Sequence, residues 1–381
     1  MNPKERIMAV LRHEEPDMIP FSVYVETLNI AGLALYEPWR KLLDNGLCLH
    51  ANMITQTHKV ICPNASMDII HHYGNVTSWA PVDLLMAMNT PHEITGNLNT
   101  PVGSIKFMAK VPGLDLSIQL PWFPEDGYII KNLDDYEVIK SLIEDSEYTP
   151  YYNEIKEMQM IIGNYGIVPT FLPKSPFQSM IMLMGTKRLS IDYYTHRKEF
   201  DELYHLIYKK ELEVYKIAAE SPAEVIWGPD NVTGLVTSPP LFEKYNIPFY
   251  NEVADLLHKH DKIYVVHMDG ALKCLVDLIP KTRIDVIESF TPPPVGDLPI
   301  EEARKKWKDK IIWANFPEPV ALQGQSTVRK KTIEILKSAA PGDRFLLGIS
   351  EGFPSIMHLY ASVPTILKAV NKYGKYPISI D

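Results

Sequence analysis

Ile263-Tyr264-Val265-Val266-His267-Met268-Asp269-Gly270 runs apolar for four residues, on both faces of an extended chain, and then turns abruptly polar. A strand hydrophobic on both sides belongs to a parallel sheet covered by helices, because a half-exposed antiparallel strand would alternate. The same shape recurs at residues 166–172, 224–230, 285–290, 311–316 and 344–350, and near the start at residues 18–26. From Asp134 onward, amphipathic stretches of helical period separate the runs, so strand and helix alternate. Seven such strands predict an α/β fold, a (β/α)8 TIM barrel whose remaining strand hides in the irregular first third of the chain. A doubly wound sheet would carry a glycine-rich phosphate turn after its first strand, where this chain has Glu26-Thr27-Leu28. The barrel is expected to form one domain over residues 1–381.

Two features lie outside the repeat. Residues 2–12 put Ile7, Met8 and Leu11 on one helical face and Lys4, Glu5 and Arg12 on the other, and Pro16 ends the pattern. That predicts an N-terminal helical extension lying against the barrel floor. Residues 80–130 lack helical period and carry Gly96-Asn97-Leu98-Asn99 and a Pro/Trp/Phe cluster at 121–124, predicting a hairpin-containing insertion that walls a pocket.

Composition narrows the partners. A net charge of −9 with no long Lys/Arg run argues against nucleic acid or an anionic membrane surface. No stretch reaches the roughly 18 apolar residues of a membrane helix, and charges throughout the first twenty residues are unlike a secretory signal, so a cytoplasmic location is expected. Cys48, Cys62 and Cys274 are scattered and form no CxxC pair, so any bound metal must rely on His, Asp and Glu.

In a barrel the reaction centre is built where the strands end. Those ends are Glu26, Pro173-Lys174-Ser175, Asp230-Asn231, His267 with Asp269, Glu288, Asn315 and Glu351. Alternate residues of a strand face the same way, with about 6.6–6.8 Å between their Cα atoms, so His267 and Asp269 can converge on one ion. Glu351, after the last strand, supplies a third candidate ligand, and three protein ligands with an open position are the pattern of catalytic zinc. A lone histidine on an apolar strand is more often a hydrogen-bonded core residue. His71, His72, His258 and His260 are read as lying in or beside helices without a carboxylate partner at metal spacing, and Cys274 as core.

The segments from Asn2-Pro3-Lys4-Glu5-Arg6-Ile7 through Glu15-Pro16-Asp17-Met18-Ile19-Pro20, the His267-Met268-Asp269-Gly270 motif, Thr291-Pro292-Pro293-Pro294 and residues 348–354 together resemble the uroporphyrinogen decarboxylase superfamily. In particular they resemble its cobalamin-dependent methyltransferase branch. The decarboxylases carry an N-terminal arginine-rich signature that grips an acidic porphyrinogen, whereas here Arg40 is the only arginine between residues 13 and 187. The thiol-specific zinc methyltransferases use His-x-Cys and a distant Cys. This chain has His267 and Asp269 in the first two places and the neighbourhood of Glu351 in the third.

Oxygen and nitrogen ligands in place of sulfur suit a harder Lewis acid and an oxygen donor, so the resemblance implies an ether substrate. The expected activity is methyl transfer from a methoxylated, aromatic small molecule to the cobalamin of a separate corrinoid protein, on a Zn2+ held by His267, Asp269 and Glu351. Asp230, Glu288 and Asn231 are the catalytic candidates; Asp230 or Glu288 would protonate the leaving oxygen or serve as a further ligand. Trp122, Phe123, Trp227 and Phe290 would bind the aromatic ring. The alternatives are a decarboxylase needing no metal and a non-catalytic scaffold for a corrinoid protein. A homodimer is compatible with either enzyme.

Overall fold

The computed structural model describes residues 1–24, 39–51, 55–73, 76–78, 92–111, 124, 127–350 and 352–380. They form two compact units, the first made of Met1–Thr57, Tyr151–Leu172 and Tyr215–Asp381, the second of His58–Pro150 and Pro173–Val214.

The first unit is the barrel. Its parallel strands are Phe21–Tyr24, Cys48–His50, a third in two parts at Gly166–Ile167 and Thr170–Phe171, then Val225–Gly228, Ile263–His267, Val286–Phe290, Ile311–Asn315 and Phe345–Ile349. The eighth pairs with the first through Phe21↔Leu347, and the second pairs with the third through His50↔Ile167. The two ends of the sheet are therefore the two parts of one strand, and the sheet closes on itself. Val168 and Pro169 separate those parts, and a proline supplies no N–H to a ladder. Thr55 spans the break, its Oγ1 donating to Pro169 O at 2.5 Å and its carbonyl accepting from Phe171 N at 2.9 Å.

Every residue of the fourth, sixth, seventh and eighth strands is buried, as a sheet covered on both faces requires. The strand hidden from the sequence reading is Cys48–His50, too short to show a pattern. The helices Ile247–His258, Ile300–Lys306, Gln325–Ala339 and Ile356–Tyr373 cover the outside.

The helix Pro3–Leu11 is capped by Asn2, whose side chain accepts from Glu5 N while Glu5 returns the bond. Its Ile7, Met8, Val10 and Leu11 join one core cluster with Cys48, Val225, Val265, Val286 and Leu346, so this helix plugs the floor as expected. Arg6 ties it to Asp17 through Nε at 2.6 Å and Nη2 at 2.9 Å.

The second unit holds a four-stranded antiparallel sheet in the order Val76–Ser78, Ser66–Tyr73, His92–Thr100, Gly103–Val111. The insertion thus begins earlier than residue 80. Its hairpin turns at Pro101-Val102, between Thr100 and Gly103, and not at residues 96–99, which lie within a strand. His71 and His72 stand in a strand and not in a helix; His71 Nδ1 meets His92 Nε2 at 3.1 Å and His72 Nε2 meets Thr95 Oγ1 at 2.7 Å. In the first unit His258 has the carboxylate partner that the sequence did not suggest, Asp285, at 2.9 Å, and Cys274 is exposed in a short 3-10 turn. No helix among the described residues is long and apolar enough to cross a membrane.

Candidate active site

The lumen is built from side chains that ordinary strand alternation turns inward. Tyr24 ends the first strand, and its hydroxyl donates to Glu288 Oε1 on the sixth at 2.9 Å. The seventh and eighth strands lie between those two in the sheet, so this contact crosses the barrel. Trp227 Nε1, from the fourth strand, donates to Glu288 Oε2 at 3.0 Å, and His267 Nδ1, from the fifth, lies 2.7 Å from the same oxygen. Glu288 is fully buried and accepts from three donors. A carboxylate can only accept, so His267 carries a proton on Nδ1 and turns Nε2 to the other side.

That other side is Asp269. Its Oδ2 lies 3.9 Å from His267 Nε2, beyond a hydrogen bond but within the span of one ion bonded at about 2.0–2.2 Å to each. Asn231 Nδ2 donates to the same Oδ2 at 3.4 Å. An imidazole whose far nitrogen is held by a carboxylate is the arrangement that orients histidine as a metal ligand. These two donors fit a borderline-hard divalent cation. Among the described residues no cluster of three or more His, Cys, Asp or Glu side chains stands at metal spacing. Glu351 lies outside the described residues, as do Glu26, Trp122 and Phe123.

The other expected residues separate. Asp230 is buried and accepts from Tyr250 OH at 2.6 Å, with Asn246 Nδ2 donating to that hydroxyl at 3.1 Å. Burial first, and the Asp230 charge second, hold the Tyr250 phenol well above its usual range. Trp227 stands edge-on to His267, ring centres 5.8 Å apart, but its indole N–H is committed to Glu288. Phe290 is buried. It packs edge-on against Trp307, at the end of a covering helix, because Ser289 at φ 59° shifts the register after Glu288.

Three lumen residues escaped the sequence reading. Tyr24 sits two places before Glu26 on the same run, where alternation alone could have found it. Trp313, two before the strand-ending Asn315, donates through Nε1 to Ser22 Oγ at 3.1 Å. His50 belongs to the strand that was not recognised.

At the mouth, Asn315 joins the last three strand ends. Its Oδ1 accepts from Ser350 N at 3.0 Å and its Nδ2 donates to Thr291 Oγ1 at 3.2 Å and Glu318 Oε1 at 2.5 Å.

The fold is similar to that of a methyltransferase from Methanosarcina mazei, with a TM-score of 0.55 at 12% sequence identity, covering 98% of this chain and 99% of that one. At such identity the likeness speaks for the fold alone. It is also similar to Dispersin B over 59% of this chain and 78% of that one, at 12% identity and a TM-score of 0.34, too low to support an argument. No curated protein sequence matches the chain. The family model described as uroporphyrinogen decarboxylase (URO-D) matches residues 126–373, about two thirds of the chain and six of the eight barrel strands, the third to the eighth. On that match the chain belongs to the uroporphyrinogen decarboxylase family.

Proposed function

We propose that this protein is an enzyme of the methyltransferase branch, moving a methyl group from a methoxylated aromatic small molecule to the cobalamin of a separate corrinoid protein. The observation that carries this reading is the His267 imidazole, clamped at Nδ1 by Glu288 and facing Asp269 with Nε2. His267 and Asp269 would hold a Zn2+, with Glu351 as the third ligand. A bound zinc supplies Lewis acidity toward the oxygen that loses its methyl group.

The chain's own residues prepare that step. Glu288 fixes the imidazole tautomer, and Tyr24 and Trp227 fix Glu288. Asn231 restrains Asp269. Asp230, held by Tyr250, stands at the end of the neighbouring strand as the candidate proton donor to the leaving oxygen. The rings of Tyr24, Trp227 and Trp313 line the interior with the shape and polarisability that an aromatic substrate needs.

Decarboxylation of the kind that names the family is the second reading. The scarcity of arginine in the first half of the chain weighs against an acidic tetrapyrrole, whose carboxylates need paired cations. Incubation with methoxylated aromatics and a reduced corrinoid protein tests the first reading. Methylcobalamin formation that disappears in His267→Ala is expected. Release of carbon dioxide from a carboxylated substrate, without corrinoid, would favour the second.

A further inference from the structure

His50 ends the second strand, is fully buried, and has no hydrogen-bond partner on either ring nitrogen among the described residues. Its ring lies edge-on to Tyr24 at 4.3 Å between centres and 4.7 Å from Trp313 on the seventh strand. The eighth and first strands separate the second from the seventh in the sheet, so the imidazole reaches into the lumen. It is in register with Tyr24, whose hydroxyl touches the Glu288 carboxylate that clamps His267.

A filler of that space needs no nitrogen. Leaving a buried donor and acceptor unpaired costs the desolvation of each group, and an apolar side chain of similar volume would avoid that cost. Buried polar groups in folded proteins are almost always paired, so these nitrogens call for a partner. Burial also holds the ring well below its usual titration range, so it stays neutral, with one N–H to give and one lone pair to receive. A hydroxyl can pair with either nitrogen, accepting from the N–H or donating to the lone pair. A carboxylate, which can only accept, leaves the lone pair unmatched.

We propose that His50 is a substrate-binding residue of the lumen, whose imidazole hydrogen-bonds a hydroxyl carried by the aromatic substrate. This rests on the methyl-transfer reading for the kind of substrate, and it narrows that kind to hydroxylated methyl ethers. In the dry interior such a bond discriminates strongly, because a ligand lacking the hydroxyl leaves the imidazole unmatched.

The test compares 2-methoxyphenol with methoxybenzene, which differ by one hydroxyl, binding to the full chain by calorimetry without any corrinoid protein. Wild type is expected to bind 2-methoxyphenol about 10–100-fold more tightly, and His50→Leu to bring its affinity down to the methoxybenzene level. His50→Phe serves as a second apolar variant, and His50→Asn, which keeps a donor and an acceptor, should restore part of the difference. Equal affinities in wild type, a preference that survives in both apolar variants, or no binding of either compound overturns the inference; equal affinities would mean the nitrogens meet only an ordered water. If the preference is found but neither compound is demethylated with a reduced corrinoid protein, methyl transfer fails and the binding role of His50 stands.

Discussion

Glu288 shows how one side chain can set the chemistry of another. With donors from Tyr24, Trp227 and His267 around it, its carboxylate decides which nitrogen of His267 is available. Glu288→Gln should lower zinc affinity about 10–100-fold, the usual effect of losing such an outer carboxylate, as measured by competition with a chromophoric chelator. Unaltered affinity would remove Glu288 from the site. His50 makes a separate prediction about pH. Its folded-state pKa lies well below the 6.5 of an unfolded histidine because of burial, so the unfolded chain binds the extra proton. Its presence therefore costs stability as pH falls below about 6.5 and costs none of this kind above it. The melting temperature of His50→Leu relative to wild type should rise on acidification from pH 7.5 to 5.5; a constant difference would contradict the burial. At this scale the sequence was half legible. The pair His267 and Asp269 could be read from spacing, but the role of Glu288 could not, because it depends on Tyr24 from a strand 264 residues away in the chain.

The N-terminal helix is the element whose sequence and structure agree most fully. Its apolar face and its Asn2 cap are local signals, and it ends at Leu11, before Pro16, with its apolar side filling the barrel floor. Ile7→Ala, at a fully buried position in that plug, should cost about 2–5 kcal/mol in urea unfolding. Loss of less than about 1 kcal/mol would mean that the helix contributes little to the core. The Arg6–Asp17 ion pair fastens the same helix. The hydrogen bond from Arg6 holds the Asp17 carboxyl at about 2, against a usual 3.8, and its stabilisation is present above that usual value and disappears as pH falls from there toward about 2. Asp17→Asn should thus melt earlier than wild type at pH 7, with the gap closing between about pH 4 and pH 2. A gap independent of pH would deny the pairing. The insertion was the least legible element. Its strand His92–Thr100 pairs with Ser66–Tyr73 on one side and Gly103–Val111 on the other, and their mixed polar and apolar residues match neither a buried strand nor a clean alternation.

Across the whole molecule the barrel was legible because parallel strands buried on both faces are continuous apolar runs, and seven of them could be located from the chain alone. The second strand, three residues long, could not, and it carries His50. Closure of the sheet through Gly166–Ile167 and Thr170–Phe171 brings Tyr24, His50, Trp227, His267, Glu288 and Trp313 from six different strands into one lumen. Of the aromatic residues expected to line a substrate site, Trp227 and Phe290 lie among the described residues and face different ways. Trp227 turned inward, and Phe290, after the register shift at Ser289, turned out toward Trp307. The most direct measurement of the account is the zinc content of the purified full chain and of His267→Ala after exhaustive dialysis against metal-free buffer. About one zinc per chain in wild type and nearly none in the variant is predicted, as for a catalytic site with few protein ligands. Zinc retained in full by His267→Ala, or absent from wild type supplied with the metal, would contradict it.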